Sequence, residues 1–360
     1  MNNWKNCRHI LCIRADNMGD LIMTGPAIRA LKNSFHCRIT VLTSSMGSVI
    51  SPFIEEIDET IACDLPWVKT NGVCRPDDLL QLAAALRNRQ FDAAVIFTVY
   101  SQNPLPAAML ACLAGIPKRL AYCRENPYQL LTDWVPEKEP YRFTRHQVER
   151  DLDLVAAIGA TIHDDRLHLN CNKHALSPAF DKLKPTGFDP GKKWVLLHPG
   201  VSELKRMYPA EHWAEAGKLI VQRTGIQVVI SGVSAERALA ENIRQGIGAD
   251  AFNAAGLLNI EEFIAFIQAT PLVISVNTGT AHIACATGTP VIVLYALTNP
   301  QHTPWKGTAK VLPFSIKEQL ASNNDVVSYV REHIMADNIP VPGPEQVFEA
   351  FETMTCLQPT

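Results

Sequence analysis

None of the ten cysteines of this 360-residue chain forms a C-x-x-C pair, and no pair of histidines stands at metal-ligand spacing, so a zinc module is not expected. The cysteines are scattered from Cys7 to Cys356, as buried thiols are in a reducing compartment, which predicts a cytoplasmic chain. No apolar run reaches membrane-spanning length. The longest lies near Val291 to Leu297, and the apolar stretch Ile10 to Ile13 is too short for a signal sequence, so a soluble chain is expected. With 33 Lys and Arg against 36 Asp and Glu there is no excess of positive charge, which argues against a nucleic-acid partner. No G-x-G-x-x-G follows the first strand candidate, which sets aside a dehydrogenase. No tandem repeat shorter than a domain is visible.

What is present is alternation. Short β-rich runs (His9 to Arg14, Arg38 to Thr43, Thr60 to Cys63, Ala93 to Thr98) alternate with helical patterns (Leu21 to Lys32, Asp77 to Arg89), and Gln147 to Ile158 is amphipathic. Residues 172–193 carry three prolines and two glycines without a strong period, and the alternation restarts at Trp194 to His198. The pattern predicts an α/β protein of two doubly wound domains facing each other across a cleft. The expected division is 1–175, a linker at 176–192, 193–335, and a closing helix within 336–360.

Three strand-to-helix junctions carry chemistry. In Arg14-Ala-Asp-Asn-Met-Gly-Asp20, Gly19 permits a tight backbone, and Asp20 reads either as a helix N-cap or as a carboxylate that takes a proton from an attacking hydroxyl. The cap is the simpler reading, but two aspartates, Asp16 and Asp20, are more than a cap requires. In His198-Pro-Gly-Val-Ser202, followed by Lys205 and Arg206, the backbone of Gly200, a hydroxyl and two cations make a phosphate cradle or merely a solvated loop. In Asn277-Thr-Gly-Thr-Ala-His282, Asn277 or Thr278 can cap a helix, Gly279 admits a ligand to the backbone, and His282 lies one turn on. Arg142 and Arg145 read as part of a basic cluster for an anionic acceptor or as a solvated face.

Together these residues resemble glycosyltransferase family nine, the heptosyltransferases of lipopolysaccharide core assembly. The likeness rests on Ile10-Leu-Cys-Ile-Arg-Ala-Asp-Asn-Met-Gly-Asp-Leu with Thr24-Gly-Pro26, on His146-Gln-Val-Glu-Arg-Asp-Leu-Asp-Leu, on His198-Pro-Gly with Lys205-Arg206, on Ala255-Gly256, and on Asn277-Thr-Gly-Thr-Ala-His282. It runs from about residue 9 to about residue 305. The resemblance implies a GT-B fold, an acceptor domain before a donor domain, and inverting, metal-independent transfer from a nucleotide-diphosphate sugar, with ADP-heptose as the donor and no resident cofactor. It implies Asp20 as the base, with Asp16, Asn17, Gly19, Arg142 and Arg145 on the acceptor. On the donor it implies His198, Gly200, Ser202, Lys205 or Arg206, Gly256, Asn277, Thr278, Gly279, Thr280 and His282. A lipid-linked saccharide acceptor would bring the chain to the inner face of the cytoplasmic membrane. Asn277 stands where the family commonly has Asp, removing a carboxylate that would accept from sugar hydroxyls. Two readings compete: a nucleotide-sugar epimerase, which would act without an acceptor, and a non-catalytic sugar-nucleotide-binding module.

Overall fold

In a computed structural model the chain forms two compact units, Met1–Leu169 and Asn170–Thr360, and residues 4–69, 75–336 and 338–356 are described. Cys74 and residues 357–360, which belong to the cysteine reading and the closing segment, lie outside the described residues.

The first unit is a six-stranded sheet of β1 (His9–Arg14), β2 (Arg38–Thr43), β3 (Glu59–Ala62), β4 (Ala93–Ile96), β5 (Lys118–Cys123) and β6 (Asp133–Pro136). The second contains β7 (Trp194–His198), β8 (Gln227–Ile230), β9 (Ala251–Asn253), β10 (Val273–Val276), β11 (Val291–Ala296) and β12 (Ala309–Phe314). All pairings are parallel, and the orders are β3-β2-β1-β4-β5-β6 and β12-β11-β10-β7-β8-β9. Numbered within its own unit, each sheet runs 3-2-1-4-5-6, the doubly wound order of mononucleotide-binding sheets. Central strands covered by helices on both faces must be apolar throughout. Ile10 to Ile13 and Val273 to Val276 are accordingly buried on both faces. In such sheets the order reverses beside the first strand. The reversal here lies between β1 and β4, with Ile10 opposite Ala93, and between β7 and β10, with Leu196 opposite Val273.

Residues 176–192, expected to link two domains, are folded. Leu176–Leu183 is a helix, and Phe180 and Phe188 join Trp194 and Phe266 in an aromatic cluster with centroids 5.6 to 6.1 Å apart. Burying an aromatic side chain stabilises by about 1.5–3 kcal/mol, which outweighs the local prolines and glycines. The closing helix, Pro344–Cys356, buries Val347, Phe348, Phe351 and Met354 on the second unit.

Candidate active site

At the carboxyl end of β1, the first helix opens at Met18, three residues before the expected Leu21, because Asn17 and not Asp20 occupies the N-cap position. Asp20 is the third helical residue, and its Oδ2 accepts from the Asn17 amide at 3.2 Å. Gly19 sits inside the first helical turn, not in a tight loop. The other Asp20 oxygen, Oδ1, accepts from Arg14 Nη2 at 2.9 Å. Arg14 is wholly buried, and its Nε lies 3.2 Å from Asp16 Oδ2. Burial opposes charge on Arg14, but Asp16, Asp20 and Asp151 overcome it and hold the guanidinium more firmly protonated than usual. Burial raises the Asp16 carboxyl above its ordinary range, Arg14 opposes that shift, and the Asp20 charge reinforces it.

The switch-point partner is Gln102, in the segment after β4. Its Oε1 accepts from the Val99 amide at 3.1 Å, which turns Nε2 onto Asp16 Oδ1. Beneath lies Asp151 of the helix Gln147–Ala156, whose Oδ1 accepts from Gln147 Nε2 at 2.8 Å. Thr24 Oγ1 is 2.9 Å from the Asp20 carbonyl oxygen and 2.8 Å from Asp151 Oδ2. One hydroxyl proton cannot serve two acceptors, whereas a protonated Asp151 would donate to Thr24 and satisfy both contacts. In line with this, burial pushes the Asp151 carboxyl up to about 6, against the charge of Arg14.

Arg145, expected near an acceptor, is spent locally. It pairs with Glu139 and Asp153 and stacks over Phe143 at 4.8 Å. Arg142 is exposed.

In the second unit, the segment after β7 carries Glu203, Lys205 and Arg206. Arg206 Nη1 donates to the Asn277 carbonyl at 3.2 Å, tying the ends of β7 and β10 together across the switch point. Its Nη2 lies 3.1 Å from Glu203 Oε2, and Lys205 Nζ lies 3.5 Å from Glu203 Oε1. The helix Gly279–Thr287 starts there. No side chain caps its first turn, since the Thr278 hydroxyl sits 3.4 Å from Ser275 Oγ. The Thr278 amide, expected to face an anion, donates instead to the Val276 carbonyl at 2.8 Å, leaving the amides of Gly279 and Thr280 as the first of the helix itself.

Asn277 also differs from expectation. Its Nδ2 donates to Ala296 O at 3.1 Å and its Oδ1 accepts from Ala296 N at 3.2 Å, a reciprocal pair that needs both an amide donor and an acceptor. The side chain therefore laces β10 to β11. His198 Nδ1 is 3.0 Å from Ser231 Oγ, and burial pushes its pKa down to about 4, so the ring is neutral. Ser202 is exposed and His282 is buried in its helix. Gly200 abuts the Glu236 carboxylate, which an added Cβ would meet at 2.3 Å. Gly256, at φ +74°, leaves only 2.9 Å between an added Cβ and the Ser234 Cα, so only glycine fits. A recess of about 770 Å³, lined by Ser234, Arg237, Glu241 and Arg244, borders Gly256 through Ser234 but is lined by none of the residues the motifs named.

Residues 79–328 match the family model described as glycosyltransferase family 9 (heptosyltransferase). The chain belongs to glycosyltransferase family 9. This glycosyltransferase is 25% identical over 313 residues to the lipooligosaccharide heptosyltransferase 2 of Haemophilus influenzae, which covers 82% of the chain and 85% of the relative. Its fold is that of a solved family 9 glycosyl transferase from Veillonella parvula, at a TM-score of 0.78, 19% identity and 98% coverage of both chains. It is also that of the E. coli ADP-heptose lps heptosyltransferase II, at a TM-score of 0.73, 20% identity, and coverage of 97% of this chain and 98% of the other. The fold class is thus GT-B, as the motifs imply. Among the described residues, no helix is long and apolar enough to cross a membrane.

Arg14, Gln102, Thr24 and Asp151 are not singled out by the motifs as site residues. Arg14 does carry a usable signal, an arginine closing an otherwise apolar central strand, where a charge is retained only with partners.

Proposed function

We propose that this glycosyltransferase moves heptose from ADP-heptose onto a lipopolysaccharide-type acceptor with inversion and without a metal. Membership of a family described by heptosyl transfer supports the sugar, and the heptosyltransferase names of the Haemophilus relative and the E. coli structure support donor and acceptor class. The observation that carries the reading is Asp20, a carboxylate whose two oxygens are each aimed by a donor at the carboxyl end of the first strand. In this role Asp20 takes the proton of an acceptor hydroxyl as that oxygen attacks the anomeric carbon opposite the departing diphosphate. Lys205 and Arg206, with the amides of Gly279 and Thr280, meet the charge that grows on the leaving group. Cations and amides there replace the neutralisation a divalent ion would give. A lipid-linked acceptor would hold the enzyme at the cytoplasmic face of the membrane.

The test is incubation with ADP-heptose and a heptose-deficient lipopolysaccharide acceptor in the presence of a chelator, with the anomeric configuration of the product read by NMR. Inverted heptosyl product is expected. Retained configuration, a chelator-sensitive rate, or transfer from another nucleotide sugar alone would defeat the corresponding part of the reading.

A further inference from the structure

Asp20 poses a problem for the role assigned to it. A carboxylate bonded to a guanidinium is a weaker base, because the positive charge favours its ionised form. Arg14 nevertheless has two carboxylates on its edge, Asp20 at Nη2 and Asp16 at Nε, at 2.9 and 3.2 Å. Asp16 is committed on both oxygens, one to Arg14 and the other to Gln102, which leaves it poorly placed to serve as an acceptor ligand. Three elements supply the titratable groups around this pair: Arg14 from β1, Asp16 from the loop, and Asp151 from the helix Gln147–Ala156, which adds charge only when it gives up its proton. Arg150 of that helix is itself neutralised by Glu137 and Glu139.

We propose that Arg14 and Asp16 are a positioning pair for Asp20: the guanidinium fixes the direction of the Asp20 carboxylate, and Asp16 cancels the guanidinium's charge so that Asp20 stays basic enough to take a proton. The arrangement separates orientation from acid strength. One cation alone would orient the base and weaken it, and no cation would leave it strong but unaimed. Asp16 and Asp20 repel one another across the shared guanidinium, so each resists ionisation more when the other is charged.

The proposal rests on Asp20 being the base, and Asp16→Asn tests it while preserving shape and the acceptor for Gln102. The acid limb of the pH–rate profile should move to lower pH by about one unit. The plateau rate should fall by a factor of about three to ten as the base weakens, with the acceptor KM unchanged. Asp16→Glu, which keeps the charge, should hold the limb near its original position. A limb that stays put in Asp16→Asn, or a loss confined to the acceptor KM, would overturn the pairing and make Asp16 an acceptor ligand. A second measurement needs neither turnover nor a variant that folds: carboxyl-carbon NMR titration of the whole wild-type chain should show both inflections at Asp16 and at Asp20. Two independent single-step curves would refute the coupling. Absence of heptosyl transfer by the wild type would instead sink the activity and leave the titration result standing.

Discussion

Two sheets of one topology carry opposite electrostatics at the same place. In the first unit the segment after the leading strand presents Asp16 from the loop and Asp20 from the first helical turn, and the counter-charge, Arg14, is sealed inside. In the second the equivalent segment presents Lys205 and Arg206, and their counter-charge, Glu203, sits beside them about a fifth exposed, as they are. A wholly buried partner cannot leave, because separating the ions would strand a charge in a medium of low dielectric. A pair within reach of water separates at little cost, so an incoming anion can take its place. The first arrangement suits a group that must hold one orientation through a reaction. The second suits a group whose partner changes when ligand binds.

The sharpest way to break this contrast is to remove one charge from each side. Asp20→Ala should cut the turnover rate by about 100- to 10,000-fold, the usual contribution of a positioned base, while ADP binding measured by calorimetry stays unchanged. Lys205→Ala and Arg206→Ala should do the converse, weakening ADP by roughly tenfold or more through loss of a charge-assisted contact. Arg206→Ala should show the larger effect, since that side chain also ties the β7 segment to the Asn277 carbonyl. An Asp20→Ala protein that loses ADP affinity would show that the two sites do not divide the work in this way.

Strand ends that carry charge are legible in the sequence alone, because central parallel strands are short, apolar in their interior and followed by helix-start residues. His9–Arg14 and Trp194–His198 stand out for that reason. The edge strands Asp133–Pro136 and Ala309–Phe314 escape such a reading, since each contains a proline and little of the apolar run that marks a central strand. The family motif points to Asn277, Thr278 and Asp20 by position, but not to their partners. That Asn277 laces Ala296, that the Thr278 amide folds back on Val276, and that Arg14 feels the charges of three aspartates depend on interactions the local sequence does not show, the last between Arg14 and Asp151, 137 positions apart. The folding of residues 176–192 is hidden for the same reason: Phe180 and Phe188 find Trp194 and Phe266 only in three dimensions.

The buried acid beneath the first site gives a pH signature opposite in sign to that of the buried His198 in the second unit. Asp151 has a folded pKa of about 6 against an unfolded value near 4, so the native state holds its proton more tightly and the stability it contributes falls as pH rises through that window, whereas the contribution of His198, pushed down to about 4, rises. A difference of that size between the folded and unfolded chain is worth roughly 2–3 kcal/mol. Asp151→Asn, neutral at every pH, should gain stability relative to the wild type as pH rises from about 4 to about 6 in urea unfolding. A difference between wild type and variant that does not change with pH would show that Asp151 carries no extra proton in the folded chain and leave the Thr24 hydroxyl as the donor.

The smallest effect probes exchangeability itself. Glu203 faces both cations from 3.1 and 3.5 Å, so it occupies the electrostatic role that a diphosphate would fill. Glu203→Gln removes that competitor without shortening the side chain. Pairs of this exposure are worth about 0.2–1 kcal/mol, so ADP should bind up to about fivefold more tightly, and the gain should shrink as salt screens the pair. The opposite sign, weaker binding in Glu203→Gln, would mean that the carboxylate holds Lys205 and Arg206 in place for the ligand. The two units would then use one device, a carboxylate that positions a cation or a cation that positions a carboxylate, and the distinction between fixed and exchangeable counter-charge would fail.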